Sequence, residues 1–328
     1  MKIGPVEERF ASQLLTGKPA TGPVAVAKRL LAIQAQDLRG ALLAVRARTA
    51  GRTAGDVYRA LNARELVIGW LNRGTLHLVR AEDYSWLHAL TTPQLATGNA
   101  RRLAELGVDP STADRGVDLI ERALDSDGPL TRLELRDRLR SRNIPTEGQA
   151  LVHLLMRSCL RGIALRGPID GGRHAYALVR DWLGPQPAVD RDAALRELGR
   201  RYLLGHGPAD DRDLAKWAGL PLRDARAALA GTRQPRRVRA VPPPRLLGQW
   251  DALLCGWATR EPVLREHAAA VVSGGLFRPF ALIDGQAAAT WKLVGGRPEL
   301  TPLRRLTQAE QSALAAEADD VVRFFSGG

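Results

Sequence analysis

Cysteine is scarce in this sequence. Among 328 residues there are two, Cys159 and Cys255, far apart and without a histidine or a second cysteine at ligand spacing. Such usage argues against a disulfide framework and a zinc site, so no metal is expected and a reducing cytoplasm suits the chain. Long apolar runs are missing too: nothing approaches the roughly 18 consecutive apolar residues of a membrane span. The opening MKIGPVEERF lacks the apolar core of a secretion signal. A cytoplasmic, nucleoid-associated protein with no membrane partner is the expectation. Acids are in short supply, 35 Asp and Glu against 48 Lys and Arg, for a net charge of +13. Lysine is rare among the cations, five in all, a bias that GC-rich coding explains together with the many Ala, Gly and Pro. GC-rich codons do not exclude acids, so the net charge needs another reason.

A chain this basic is drawn to phosphate polyanions through counterion release, and nucleic acid is the expected partner. The composition, 45% hydrophobic and 25% charged, is globular. The length allows two or three domains with real cores.

Three stretches share one plan. The clearest runs from Val117 to Val179. There "VDLIERALDSDG" reads as a short amphipathic helix. "PLTRLELRDRLRSR" starts on Pro129 and Thr131, and "PTEGQALVHLLMRSCLRG" is stopped by Gly162. "IALRGPIDGGRHAYALV" then alternates around Asp170-Gly171-Gly172, a hairpin signal. Three helices and a hairpin are the order of a winged helix. The segment "RDAALRELGRRYLLGHGPADDRDLAKWAGLPLRDARAALAG" repeats that plan. Behind it, Arg233, Arg236, Arg237, Arg239 and Arg245 fall with no acid between Thr232 and Leu247, as a basic wing or a basic connector. The N-terminal stretch fits less neatly: "TAGDVYRALNARELVIGWL" has helical spacing, and "NRGTLHLVRAEDYSWLHAL" reads as a strand running into a helix. The last part, with a hairpin signal at Asp284-Gly285, reads as strand-rich and closed by the helix "QAEQSALAAEADDVVRFF". The expected fold is α+β, mainly α. It comprises a winged-helix-like unit over residues 1–110, a second over 111–185, a third with the basic segment over 186–248, and a β-rich domain over 249–328.

A winged helix alone implies binding, not chemistry. The stretch "LLAIQAQDLRG" raises the chemical question, because Gln34 and Gln36 end an otherwise apolar helical run. On a helix, residues two apart point about 200° from each other; on an extended segment they share a face. A functional pair therefore requires the helix from Val24 to end near Ile33. The plainer alternative makes Gln34 a surface amide and Gln36 a helix cap.

"IQAQD" behind a helix entered by Gly-Pro, "LNRGTLHLV" followed by "AEDYSWL", and the late "RLLGQWDALLCGWATREPVL" together resemble the AlkZ/YcaQ-type DNA glycosylases, from about Gly22 to Trp291. The resemblance implies tandem winged helices forming a concave DNA-binding surface, with a Gln-x-Gln or Gln-x-Asp motif at the catalytic centre. It also implies excision of bulky N7-alkylated guanines, including those in interstrand crosslinks, and in several members self-resistance to a genotoxin. Gln34 and Gln36 give the Gln-x-Gln form, which points to the self-resistance branch; Asp37 falls one residue late for the other form. The implied partner is double-stranded DNA carrying alkylated guanine, bound by a monomer without a cofactor.

An N7-alkylguanine is already cationic, so its glycosidic bond breaks without protonation of the base. Two amides suffice to place a water and offer negative dipoles to an oxocarbenium-like transition state. No lysine lies near the motif beyond Lys28, so a Schiff-base lyase step is not expected. His77 reads either as a DNA or lesion contact or as a half-buried strand residue, with Arg73 and Thr75 on the same alternation. Asp251 matches the family's late acidic residue, although a cap or an arginine partner is the favoured role. Trp257 and Arg260 are candidates for packing or a phosphate contact. Arg157, Arg161 and Arg173, on the expected recognition helix and wing, are candidate DNA contacts, as are Arg39, Arg236, Arg237 and Arg239. The competing functions are a non-enzymatic winged-helix regulator and a protein that sequesters alkylated DNA without cutting it.

Overall fold

Local stop and start signals lay out the helices. The computed structural model describes residues 6–170, 172–236 and 238–327; Gly171 and Arg237, both singled out above, lie outside them. Pro23 opens helix Pro23–Leu30 in its first turn, where its missing N–H costs nothing. Helix Leu38–Arg46 follows, capped by the Asp37 carboxylate, and then helix Ala54–Asn62. Strands Leu66–Leu71 and Thr75–Arg80 pair antiparallel across a turn at 72–74. Three helices and a hairpin thus recur at the N-terminus.

The helical reading of residues 53–71 holds only as far as Asn62. All six residues of Leu66–Leu71 are buried, so no polar alternation marks the strand, and a continuous apolar run does not reveal its period. Val67, Ile68 and Trp70 supply the β-propensity instead. Gly69 is required there, because a Cβ would stand 2.7 Å from the Tyr84 ring.

In the middle stretch the helices are Pro110–Asp127, Arg132–Arg140 and Ala150–Leu160. The first starts seven residues earlier than its apolar spacing suggests, because Asp109 accepts from the Ser111 and Thr112 N–H groups and Pro110 follows it. Thr131 and Glu134 form a reciprocal capping box. The wing is strands Ala164–Asp170 and Arg173–Leu178. Here five strands make one antiparallel sheet, in the order Thr75–Arg80, Leu66–Leu71, Ala164–Asp170, Arg173–Leu178, Leu130–Thr131. The Arg166 guanidinium lies over both Trp70 and Tyr176, at 5.3 and 5.5 Å from the ring centroids.

Helices Arg191–His206, Asp211–Ala218 and Leu222–Leu229 repeat the three-helix start. No wing follows among the described residues, and the basic stretch is a connector. Its end, Arg245–Leu247, becomes the edge of a four-stranded antiparallel sheet with Phe280–Ile283, Gln286–Val294 and Arg297–Pro302. Asp284 and Gly285, at φ 49° and 76°, make the expected two-residue turn. Helix Gln308–Ser326 closes the sheet, and Leu314, Ala318 and Val321 join Trp291, Ala289 and Leu43 in one core.

The chain forms two compact units, one of Met1–Arg59 with Leu195–Gly328 and one of Ala60–Ala194. The break after Arg59 falls inside the expected first winged-helix unit. Among the described residues no helix is long and apolar enough to cross a membrane.

Gly69→Ala should destabilise the fold by about 1–3 kcal/mol, since an aromatic ring cannot yield cheaply. Urea denaturation reads this as a lower midpoint at unchanged slope, and an unchanged midpoint would refute the packing described.

Candidate active site

The backbone between two fixed points brings the glutamines forward. Helix Pro23–Leu30 ends at Leu31, whose φ of 66° and ψ of −51° place it in a γ-turn of the rare, strained kind. Its closing bond runs from the Ala32 N–H to the Leu30 carbonyl, 2.8 Å. A fully buried leucine at positive φ stores strain, so its surroundings must hold it there. Helix Arg191–His206 approaches the preceding turn so closely that a Cβ on Gly205 would stand 2.2 Å from the Arg29 carbonyl. Ile33 and Gln34 are then extended, and this is the helix ending that a functional glutamine pair requires. Gln34 is buried and Gln36 exposed.

The second fixed point is Asp37. Its Oδ2 accepts from the Gly40 N–H at 3.0 Å, capping helix Leu38–Arg46, and from Gln249 Nε2 at 2.6 Å. Gly40 and Gly248 allow this approach: a Cβ on Gly40 would stand 2.6 Å from the Gln249 carbonyl, and one on Gly248 2.9 Å from Leu43 Cβ. The late segment therefore packs directly on the glutamine motif. Cys255 Sγ lies 3.5 Å from Gln34 Oε1 and 3.4 Å from the Trp250 carbonyl.

Asp251 sits behind these groups. It is fully buried and caps helix Ala252–Cys255 through the Leu253 N–H. Both of its oxygens accept from Arg48, at 2.8 and 2.9 Å. Arg48 also donates to the Gln13 carbonyl, to Gln13 Oε1 and to the Ala44 carbonyl. Cap and arginine partner are thus one role here. Trp257 is packing: it is buried and donates to the Pro208 carbonyl at 3.1 Å. Arg260 is half-buried, with Nε donating to the Leu254 carbonyl and its guanidinium 4.8 Å from the Phe277 ring centroid.

A family model described as DNA glycosylase AlkZ-like matches residues 27–324, a span that holds both the glutamine motif and the late segment. The chain belongs to the AlkZ-like DNA glycosylase family. A relative from Streptomyces sahachiroi, described as an interstrand DNA cross-link repair glycosylase, is 28% identical over 356 aligned positions, covering 93% of this chain and 92% of its own. The solved structure of the Streptomyces sahachiroi DNA glycosylase AlkZ superposes with a TM-score of 0.75 at 24% identity, over 97% of this chain and 95% of that one. Family membership sets aside the non-enzymatic regulator.

In the other unit of the glycosylase, His77 is buried. Its Nδ1 lies 2.9 Å from the Thr75 carbonyl. Burial, reinforced by the nearby Arg73 charge, pushes its pKa down to about 3, so the ring is neutral at working pH. Thr75 shares its strand, whereas Arg73 lies in the turn before it and is exposed, so the alternation does not reach Arg73. Arg157 and Arg161 both donate to Asp114 Oδ1, at 2.8 and 2.5 Å, and hold that carboxyl below its usual range. No residue of Ala150–Leu160 is exposed. Helix Ala96–Glu105 covers it, with Asn99 donating to the His153 carbonyl and Arg102 to Gln149. Arg157 is partly buried and Arg161 exposed, and the two cations share the single Asp114 carboxylate. Arg173 is exposed at the start of its wing strand, and Arg39 and Arg236 are exposed too. Arg239 is exposed beside Glu8, at 3.3 Å.

Sequence reasoning passed over Gln249 and Cys255, although both lie inside the late signature. It also passed over Arg48, for which no local signal exists. Asp251→Asn should cost about 3–5 kcal/mol, because Arg48 would be left buried without a counter-charge. A loss below about 1 kcal/mol in denaturant titration would show that the pair is not a structural centre.

Proposed function

We propose that this glycosylase hydrolyses the N-glycosidic bond of N7-alkylguanine in duplex DNA, with Gln34 and Gln36 at the reaction centre. The observation that supports this most is the commitment of two carboxylates of the motif and the late segment. Asp37 is engaged by Gly40 and Gln249, and Asp251 by Arg48. The chemistry that Gln34 and Gln36 bring to the motif is that of amides. A neutral amide is a poor general base, and a substrate that already carries a positive charge does not need a strong one. The C1′–N9 bond breaks with its electron pair leaving on the base, which becomes neutral. A water attacks C1′ and loses its proton to solvent. The glutamine carbonyl oxygens hold that water and face the developing positive charge, and slow action on normal purines follows.

The Streptomyces sahachiroi relative is described as repairing interstrand crosslinks, and we extend the substrate range to crosslinked and bulky guanine adducts. Protection against a genotoxic natural product is the biological role that this substrate class suits. The glycosylase works as a monomer. Arg39, Arg73, Arg173, Arg236 and Arg239, exposed on the surface, together with Arg260, are the proposed backbone contacts.

The test is single-turnover base release from duplex DNA carrying N7-methylguanine or a bulky N7-guanine adduct. Gln34→Ala/Gln36→Ala should release the base at least about 100-fold more slowly than wild type, a loss typical of removing an oriented transition-state dipole. DNA affinity should stay within about threefold, since contacts to the phosphate backbone dominate it. Equal rates in the two proteins, or no release of either base by wild type, would overturn the proposal.

A further inference from the structure

We propose that Asp37 and Gln249 are positioning residues for base release: their hydrogen bond sets the direction in which Gln36 faces the substrate. The inference rests on the reading that places Gln34 and Gln36 at the reaction centre. Gln36 is the last residue before the Asp37 cap, and its own backbone has no regular structure. The course of the chain through Gln36 is held from both sides. Upstream, the γ-turn at Leu31 and the extended pair Ile33–Gln34 fix one end. Downstream, the Asp37 carboxylate caps helix Leu38–Arg46.

A helix cap alone would need one donor, the Gly40 N–H. The same oxygen, Oδ2, also accepts from Gln249 Nε2 at 2.6 Å, across 212 residues of chain. Two glycines make room for this bond. At Gly40 a Cβ would stand 2.6 Å from the Gln249 carbonyl, and at Gly248 a Cβ would stand 3.1 Å from the Gly40 carbonyl. Neither glycine has positive φ, so what each position requires is space, not an unusual backbone conformation. The close approach and the hydrogen bond serve one contact, that of the late segment with the residue behind Gln36.

The fold does not need this bond for its cohesion. Arg48 and Asp251 already tie the late segment to helix Leu38–Arg46, and Leu43 joins the sheet core independently. A bond that is redundant for stability but adjacent to a reacting amide acts on geometry. Small misplacements of a reacting group cost rate rather than binding.

The test exchanges the two partners. In Gln249→Glu two carboxylates face each other. In Asp37→Asn the amide oxygen, set where Oδ2 stands, still accepts from both donors, so this single change alters the charge and keeps the contact. In Asp37→Asn/Gln249→Glu, the amide oxygen introduced at position 37 accepts from the Gly40 N–H, and its NH2 donates to the carboxylate introduced at position 249. A hydrogen bond between the two positions is regained with donor and acceptor exchanged, now from the other arm of the position-37 side chain. Single-turnover release of N7-methylguanine should fall about tenfold or more in Gln249→Glu and return to within about threefold of wild type in the double variant, the coupling expected of residues in direct contact. DNA affinity and the thermal midpoint of Gln249→Glu should stay near wild type. Failure of the double variant to recover the rate would overturn the positioning role, as would a rate loss matched by an equal loss of folded protein. The Gln34→Ala/Gln36→Ala protein is run alongside. If it releases base as wild type does, the reaction centre is misassigned. If it does not, while the exchange shows no coupling, the centre stands and only the positioning role fails.

Discussion

The buried pair of Arg48 and Asp251 is the interaction on which the rest of the first unit depends. A guanidinium and a carboxylate without solvent are tolerated only when every donor and lone pair nearby is used. Arg48 meets that demand through Gln13, Ala44 and both oxygens of Asp251. Gln13 in turn donates to the Gly205 carbonyl. One network therefore joins the N-terminal segment, the helix behind the glutamine motif, the long helix Arg191–His206 and the late signature. Four pieces of chain, from Gln13 to Asp251, are put in register by a single charge pair. The late signature can meet Gln34 and Asp37 only because this pair fixes where it runs.

Around that anchor the chain holds strain beside the glutamine motif. Leu31 is held in an unfavourable turn so that Ile33 and Gln34 can be extended. Strain of this kind persists when the surroundings over-determine it, and the close approach of Gly205 to Arg29 is one such constraint. On the function proposed above, the result is a centre built of amides, with Asp37 and Asp251 turned to structural work. Such a centre matches a substrate whose leaving base is already charged. Selectivity then comes from what the site lacks, a strong acid or base, as much as from what it has.

Much of this architecture was legible in the sequence. Pro23, Thr131 with Glu134, and Asp284-Gly285 act through their immediate neighbours, and each formed the cap or turn that its chemistry implies. The glutamine spacing could state the condition for a shared face, the loss of the helix before Ile33, but not that Leu31 would meet it. What stayed hidden was non-local. Leu66–Leu71 is buried on both faces and so shows no strand period. Helix Ala150–Leu160 has the sequence of a recognition helix, and the packing of Ala96–Glu105 against it, with the pairing of Arg157 to Asp114, is a contact that no local pattern announces. Gln249 and Arg48 act on partners more than two hundred residues away, and no window along the chain contains both ends.

The central claim is that the reaction draws its driving force from the charge of the substrate and not from an acid on the protein. The most direct measurement compares single-turnover release of N7-methylguanine with release of 8-methylguanine from the same duplex. The second base has the same size, carries no charge and keeps an N7 that an acid could protonate. The account predicts release of the first and none of the second above the spontaneous rate. Comparable release of both would require a proton donor that the two glutamines cannot provide, and would contradict it.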